Sequence, residues 1–359
     1  MNKCLLEACN SYGLTTDGVS YGNGHINTTF LAEKDGKKYI IQNVNTNVFK
    51  NPKDMMDNVC KVTDFIKEKV KSRGGNADRE IMSVLKTKTG ENFCTTSNGD
   101  VYRAYTYISE SVTINENPTP EVFYQAGLGF GKFQEYLSDF PTENLVETIE
   151  NFHHTPLRVE SLKKTVKEDK LNRVKNCEDI LKYIFDFEKD AGIVISGIAS
   201  KDIPIRVTHN DTKLNNILFD KDTKEAICVI DLDTVMPGSA LYDFGDAIRY
   251  GANTAKEDET DLDKVSIDLK LFEYFTKGFT KPLKNSLTKY ETDLLAFSSK
   301  LLTYECAVRF LDDYLAGNKY FKVEYEDHNL VRAKNQIKMC QDIDSKFNEM
   351  DKIVKDILK

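Results

Sequence analysis

The residues His209-Asn210-Asp211-Thr212-Lys213-Leu214-Asn215-Asn216 place a carboxylate five positions before an amide, in the pattern H-x-D-x-x-x-x-N. Phosphoryl transfer needs groups of these types. A carboxylate must hold an acceptor hydroxyl in line and take its proton, which suits Asp211. An oxygen ligand for a divalent cation must come from the same loop, which suits Asn216. His209 is better suited to brace the loop by hydrogen bonds than to do chemistry. A polar surface loop rich in Asn and Asp is the plain alternative, but it leaves the strand-like flanks Val207 and Ile217-Leu218 unexplained.

A second group follows at Val229-Ile230-Asp231-Leu232-Asp233, an apolar strand ending in two carboxylates. If the extended backbone continues, they point to opposite faces. A hard cation bridging phosphates takes such ligands, and Asp231 is the expected one. Asp231 lies 20 residues after Asp211, room for a hairpin between them. Asp243-Phe244-Gly245 spells the metal motif of protein kinases but lies 32 residues after Asp211, behind Pro237-Gly238 and against a helical stretch. Asp243 therefore reads as a carboxylate one layer behind the metal ligands, or as a helix cap.

Tyr21-Gly22-Asn23-Gly24-His25-Ile26-Asn27 supplies a glycine turn. An ordinary tight turn would use the same glycines. A dinucleotide fingerprint would continue into a helix, yet Thr28-Thr29-Phe30-Leu31 are strand formers. A glycine turn between antiparallel strands instead lets backbone approach phosphates, making Gly22, Asn23, Gly24 and Asn27 the nucleotide candidates. No GxxxxGK[ST] motif occurs. Arg309 sits in the apolar run Glu305 to Leu311. It either pairs with Asp312 or Asp313, or faces an acceptor pocket together with Tyr320.

The positioning elements follow from periodicity. Thr28 to Glu33 and the segment from Tyr39 form a predicted hairpin around Asp35-Gly36. Met55, Met56, Val59, Val62, Phe65, Ile66 and Val70 mark a helix that ends before Gly74-Gly75. Further strands are expected at 80–85, 93–96 and 101–108. Helices are expected at 119–140, 162–189, 267–277, 287–315 and 328–358, with two short strands in 206–230. The plan is α+β: a β-rich lobe at 1–108, a connection near 105–110, and a larger helical lobe at 109–359.

The chain has 359 residues, 40 % apolar and 30 % charged, with net charge −8. That balance argues against nucleic-acid binding, which needs a basic face. No apolar run reaches the roughly 20 residues of a membrane span, and no secretory core opens the chain. The eight cysteines form no CxxC and lie at no metal-binding spacing to histidine. A cytoplasmic protein with reduced thiols and no obligate protein partner is expected.

The catalytic loop and the Ile-Asp-x-Asp strand resemble the aminoglycoside phosphotransferase and choline kinase superfamily. Longer strings resemble its N-acetylhexosamine 1-kinase branch: residues 21–30, 206–218, 230–239, 302–311 and 328–332. The resemblance runs from about residue 15 almost to the end. It implies a protein-kinase-like bilobal fold and transfer of the ATP γ-phosphate, with Mg²⁺, to the anomeric hydroxyl of GlcNAc or GalNAc. Asp211 would be the base, and Asn216 and Asp231 the metal ligands. His25, Arg309 and Tyr320 would contact the sugar, and Tyr107 and Ile108 the adenine. One departure stands out. The strand after the glycine turn usually ends in Lys or Arg, and Gln42 fills that place here. A kinase for choline, an aminoglycoside or another sugar is the sister reading. A nucleotide-binding module without catalysis is a further alternative, supported only by Gln42.

Overall fold

The structure, a computed structural model, describes residues 2–22 and 27–359. Contacts divide the chain into two compact units: Met1–Thr113 with Tyr136–Glu150 and Asn216–Pro237, and Ile114–Glu135 with Asn151–Asn215 and Gly238–Lys359. Elements are numbered along the chain.

The first unit is built on an antiparallel sheet of β1 (Thr28–Lys34), β2 (Lys37–Val44), β3 (Val84–Leu85), β4 (Cys94–Thr95) and β5 (Val101–Thr106). The order is β1-β2-β5-β3, with β4 also on β5. The β1–β2 turn forms as expected, because Asp35 and Gly36 both take the positive φ that a tight hairpin turn demands. Tyr21 N donates to Thr29 O at 2.8 Å and bridges join Thr15 to Glu33 and Ser20 to Phe30. The segment before the glycine turn thus runs antiparallel to β1.

Helix α2 (Pro52–Ser72) buries Met55, Met56, Val59, Val62, Ile66 and Val70, the expected stripe except for the half-buried Phe65. Met55 and Met56 cluster with Val44, Phe49 and Val101. An unanticipated helix, α1 (Lys3–Tyr12), has Asn2 as its N-cap and Gly13 in the left-handed conformation at its end. It buries Leu5, Ala8 and Cys9 with Ile41 and Tyr102, and the Tyr12 hydroxyl donates to Tyr102 O at 3.0 Å. The strand expected at 80–85 is shorter. Ala77–Glu80 forms the helical turn α3, because Asn76 caps Asp78 N while Glu80 accepts from Asn76 N at 2.7 Å. The unit closes with β6 (Ser111–Val112) beside the hairpin of β8 (Ile217–Asp220) and β9 (Ala226–Val229).

The second unit holds α4 (Pro120–Tyr136, less its last residue), α5 (Thr155–Glu168), α6 (Glu178–Phe187), α7 (Ile193–Ser200) and the strand β7 (Arg206–Thr208). It continues with α8 (Ala240–Gly251), α9 (Leu269–Leu283), α10 (Lys289–Asp293), α11 (Leu295–Ala316) and α12 (His328–Ile357). The helix expected over 287–315 is interrupted at Leu294. The capping box of Thr288 and Glu291 starts α10 separately. The fully buried Glu291 also grips Arg206 of β7 at 2.7 and 2.8 Å, fixing the strand that leads into the His209 loop.

The Asp243-Phe244-Gly245 tripeptide lies inside α8 and is structural on two counts. Phe244 packs edge-on against Phe272, Phe275 and Phe279 of α9. A Cβ on Gly245 would stand 2.4 Å from the Ser298 carbonyl oxygen of α11, so only glycine permits this helix approach. Gly245→Ala is expected to cost about 1–3 kcal/mol, read as a lowered Tm. An unchanged Tm would show that α8 and α11 separate freely. All eight cysteines are free, and five are buried. Among the described residues, no helix is long and apolar enough to cross a membrane.

Candidate active site

The loop after β7 is held by α8 and α4. The carboxylate of Asp243, fully buried, accepts from the backbone amides of His209 (3.0 Å) and Asn210 (2.8 Å) and from Gln134 Nε2 (2.6 Å). Burial pushes its carboxyl above the usual carboxylate range, against His209 and the amides, which favour the ionised form. One turn later Asp246 accepts from Thr212 N at 3.0 Å, while the Thr212 hydroxyl donates to Asp243 O at 2.6 Å. Asn210 takes a left-handed φ of 64°. An Asn tolerates that better than most side chains. The His209 ring lies edge-on to Phe130 and Phe133 and accepts from Asp211 N through Nδ1 at 3.2 Å. His209 is therefore a brace, and Asp243 supports the loop instead of capping α8, whose N-cap is Ser239.

These contacts aim the half-exposed Asp211 carboxylate, whose Oδ1 lies 2.9 Å from Lys213 Nζ. Asp211, with help from Asp246, raises the Lys213 pKa against the opposing effect of burial, so the lysine stays charged. The reading of the loop from sequence gave Lys213 no role. Its signal was the short D-x-K spacing, which sets two side chains of opposite charge on one turn.

In the same unit, α11 carries Arg309. Its guanidinium lies 5.1 Å from the Phe152 ring centre, 5.6 Å from Phe321 and 5.9 Å from Tyr320. Of the two readings open for Arg309, pairing with Asp312 or Asp313 is displaced by other bonds. Asp313 accepts from the amides of Lys319, Tyr320 and Phe321 at 2.8, 2.8 and 3.0 Å, fixing the turn that brings both rings to Arg309. Asp312 accepts from the Ser161 hydroxyl at 2.8 Å. The structure thus brings Arg309 and Tyr320 together. Glu305, one turn earlier and buried, binds His153 Nδ1 (2.8 Å) and Thr155 Oγ1 (2.6 Å).

The first unit holds the other candidates. Ile230 N donates to Asn216 O at 2.9 Å, so the β8–β9 register sets Asn216 beside Asp231. The extension expected through Asp233 does not continue. Asp231 has a left-handed φ of 61°, and Leu232–Thr234 form a 3₁₀ turn. The turn leaves Asp231 exposed and buries Asp233 in an ion pair with Arg103. Asn27 uses both ends of its amide within the protein, accepting from Asn45 N at 3.0 Å and donating to Asp233 Oδ2 at 2.7 Å. Gly22 has a φ of 75°. Beside it, the Tyr21 ring meets Tyr107 edge-on, with 6.2 Å between centres. Ile108 is buried, and its carbonyl accepts from Ser111 Oγ at 2.7 Å. The candidates Asn23, Gly24 and His25 lie outside the described residues.

Residues 19–267 match the sequence profile described as the phosphotransferase enzyme family. This chain belongs to the phosphotransferase enzyme family. Solved structures share the fold of this phosphotransferase across nearly its whole length. An aminoglycoside phosphotransferase from Alicyclobacillus acidocaldarius subsp. acidocaldarius DSM 446 is 12 % identical, with TM-score 0.60 over 98 % of this chain and 96 % of that one. A spectinomycin phosphotransferase in complex with ADP and spectinomycin is 15 % identical, with TM-score 0.55 over 98 % and 97 %. A choline/ethanolamine kinase family protein from Mesorhizobium loti is 15 % identical, with TM-score 0.54 over 94 % and 92 %. The expected α+β, kinase-like fold is therefore the fold of this phosphotransferase.

The donors beside Asp231 suit a hard divalent cation: one amide side chain and one exposed carboxylate. Among the described residues, no group of three or more His, Cys, Asp or Glu converges on a metal position. That set matches Mg²⁺, which is commonly held by one or two carboxylates together with substrate phosphates and water.

Proposed function

We propose that this phosphotransferase uses ATP to phosphorylate the anomeric hydroxyl of an N-acetylhexosamine, GlcNAc or GalNAc. Asp211 takes the hydroxyl proton as the oxygen attacks the γ-phosphorus. The bond from that phosphorus to the β-phosphate oxygen breaks, and ADP leaves. Lys213 orients the Asp211 carboxylate through their ion pair at 2.9 Å and would stabilise charge that gathers on the phosphoryl oxygens. Asn216 and Asp231 would hold Mg²⁺, which when bound neutralises phosphate charge. Backbone at Gly22, Asn23 and Gly24 would approach the phosphates, while Tyr107 and Ile108 would receive the adenine. The ADP complex of the spectinomycin enzyme supports nucleotide use on this fold. Asn27 acts through its ties to Asn45 and Asp233.

The observation that carries the acceptor assignment is the setting of Arg309. Three aromatic rings surround its guanidinium. Arg158 stands near enough that, after burial, the Arg309 charge is the next influence lowering its pKa. Two guanidinium groups beside the carboxylates of Glu305 and Asp312 leave little unpaired negative charge for choline or an aminoglycoside. Such a setting suits a neutral sugar, whose hydroxyls and acetamide oxygen accept from Arg while an apolar ring face rests on Tyr320. His25 is the further sugar candidate.

A coupled assay for ADP release over GlcNAc, GalNAc, choline and an aminoglycoside tests this reading. Turnover with the two N-acetylated sugars is expected, and choline turnover with inert sugars would move the chain to the sister activity. Zero transfer to every acceptor despite ATP binding would favour the non-catalytic module. Arg309→Ala is expected to raise the sugar KM about tenfold or more with little change in the KM for ATP, the effect of one lost charged hydrogen bond. Equal effects on both substrates would contradict the placement of Arg309.

A further inference from the structure

The first unit contains a buried guanidinium for which the proposed chemistry has so far given no use. Arg103 lies in the middle of β5 and is 1 % exposed. Register explains what surrounds it. Thr29 of β1 pairs with Gln42 of β2, and Gln42 pairs with Arg103 of β5, so the three share one rung of the sheet. Gln42 Nε2 donates to Thr29 Oγ1 at 3.0 Å, and Arg103 Nε donates to Gln42 Oε1 at 3.0 Å. The position where the resemblance expects a basic residue is therefore an amide relay, and the cation stands one strand over.

The rest of the guanidinium faces the acidic turn. Arg103 pairs with Asp233. Burial alone would favour loss of the proton, but the paired Asp233 carboxylate holds the group charged. Its other neighbours are weak or apolar: the sulfurs of Met55 and Met56 at 3.9 and 3.8 Å, and the Tyr105 ring with its centre at 5.2 Å. In such a setting an unpaired Asp233 would be costly, so the two charges fix each other. The second oxygen of Asp233 accepts from Asn27, which in turn receives Asn45 N. One chain of bonds thus runs from Thr29 through Gln42, Arg103 and Asp233 to Asn27.

We propose that Arg103 is the positioning cation of the nucleotide half of the site, locking the Asp231–Asp233 turn to the residue that follows the glycine segment and so setting where a metal-bound nucleotide is received. The inference rests on the nucleotide and metal roles proposed above. Arg103 is buried away from any ligand and acts through Asp233, Asn27 and the turn that carries Asp231. Its effect falls on the affinity for Mg-nucleotide more than on metal-free nucleotide, because metal binding depends on the geometry of Asp231.

Calorimetric titration of the full chain with ADP, with and without Mg²⁺, tests this, with Tm measured alongside. The variants are Arg103→Lys, which keeps the charge but loses the fork, and Asn27→Ala, which cuts the chain of bonds at its Asn27 end. The expected result is a Kd for Mg-ADP raised at least tenfold in either folded variant, with the Kd for metal-free ADP changed less than threefold. A lowered Tm with wild-type Mg-ADP affinity in the folded variants would overturn the proposal, leaving Arg103 a purely structural residue. Absence of Mg-ADP binding in the unaltered protein would instead overturn the functional reading on which it rests.

Discussion

Asp211→Asn is expected to lower kcat by about 10²- to 10⁴-fold while leaving the affinity for ATP near its original value, the range for a lost general base. The amide is nearly isosteric, so the loop should keep its shape. The loop is fixed by Asp243 and Asp246 through the amides of His209, Asn210 and Thr212, and none of these bonds uses the Asp211 side chain. The substitution removes a proton acceptor and the negative charge opposite Lys213, while an amide oxygen can still accept from its ammonium. The loss should appear in kcat in single-turnover kinetics. An unchanged kcat would remove Asp211 from the role, and a matching fall in Tm would mean that the loop itself had failed.

Asp231→Ala is expected to abolish Mg²⁺-dependent turnover with little loss of stability. The two carboxylates of the turn differ in what they do. Asp233 is buried against Arg103 and Asn27, so altering it breaks a charge network. Asp231 is exposed, and its removal leaves the bonds of Asp233 to Arg103 and Asn27 in place. Titration of activity with Mg²⁺ should show no saturable response in the variant, while Tm stays within a few degrees. Retained activity with the original Mg²⁺ response would assign the metal to another carboxylate. Asp243 is a poor alternative, because its oxygens already serve His209, Asn210 and Gln134.

Much of this was legible in the sequence, where chemistry and local geometry coincide. The apolar stripe from Met55 to Val70, the Asp35-Gly36 turn and the flanked His209 loop are short-range patterns, and the structure contains them. The distance from Asp211 turned attention away from the Asp243-Phe244-Gly245 tripeptide, whose Asp243 accepts from the loop and whose Gly245 lets α8 pack closely. Helix α1 went unread, although Leu5, Ala8, Cys9 and Tyr12 recur at helical spacing before Gly13.

Other features depend on partners far along the chain. Arg103 sits in an apolar strand, and nothing beside it in sequence points to Asp233. Arg309 has two acids within one turn, yet three backbone amides and an asparagine claim Asp313, because a turn after the helix must satisfy its N–H groups. The turn at Asp231 also escaped the sequence reading. Continued extension would have been the default after an apolar strand, but burial of Asp233 against Arg103 selects a left-handed residue followed by a tight turn.

The most direct test of the proposed function is the identity of the product. The unaltered protein, incubated with Mg-ATP and either GlcNAc or GalNAc, should yield ADP and a sugar whose ³¹P resonance couples to the anomeric proton, marking a 1-phosphate. A phosphate found on any other hydroxyl, or no sugar phosphate alongside a phosphorylated choline or aminoglycoside, would contradict the assignment.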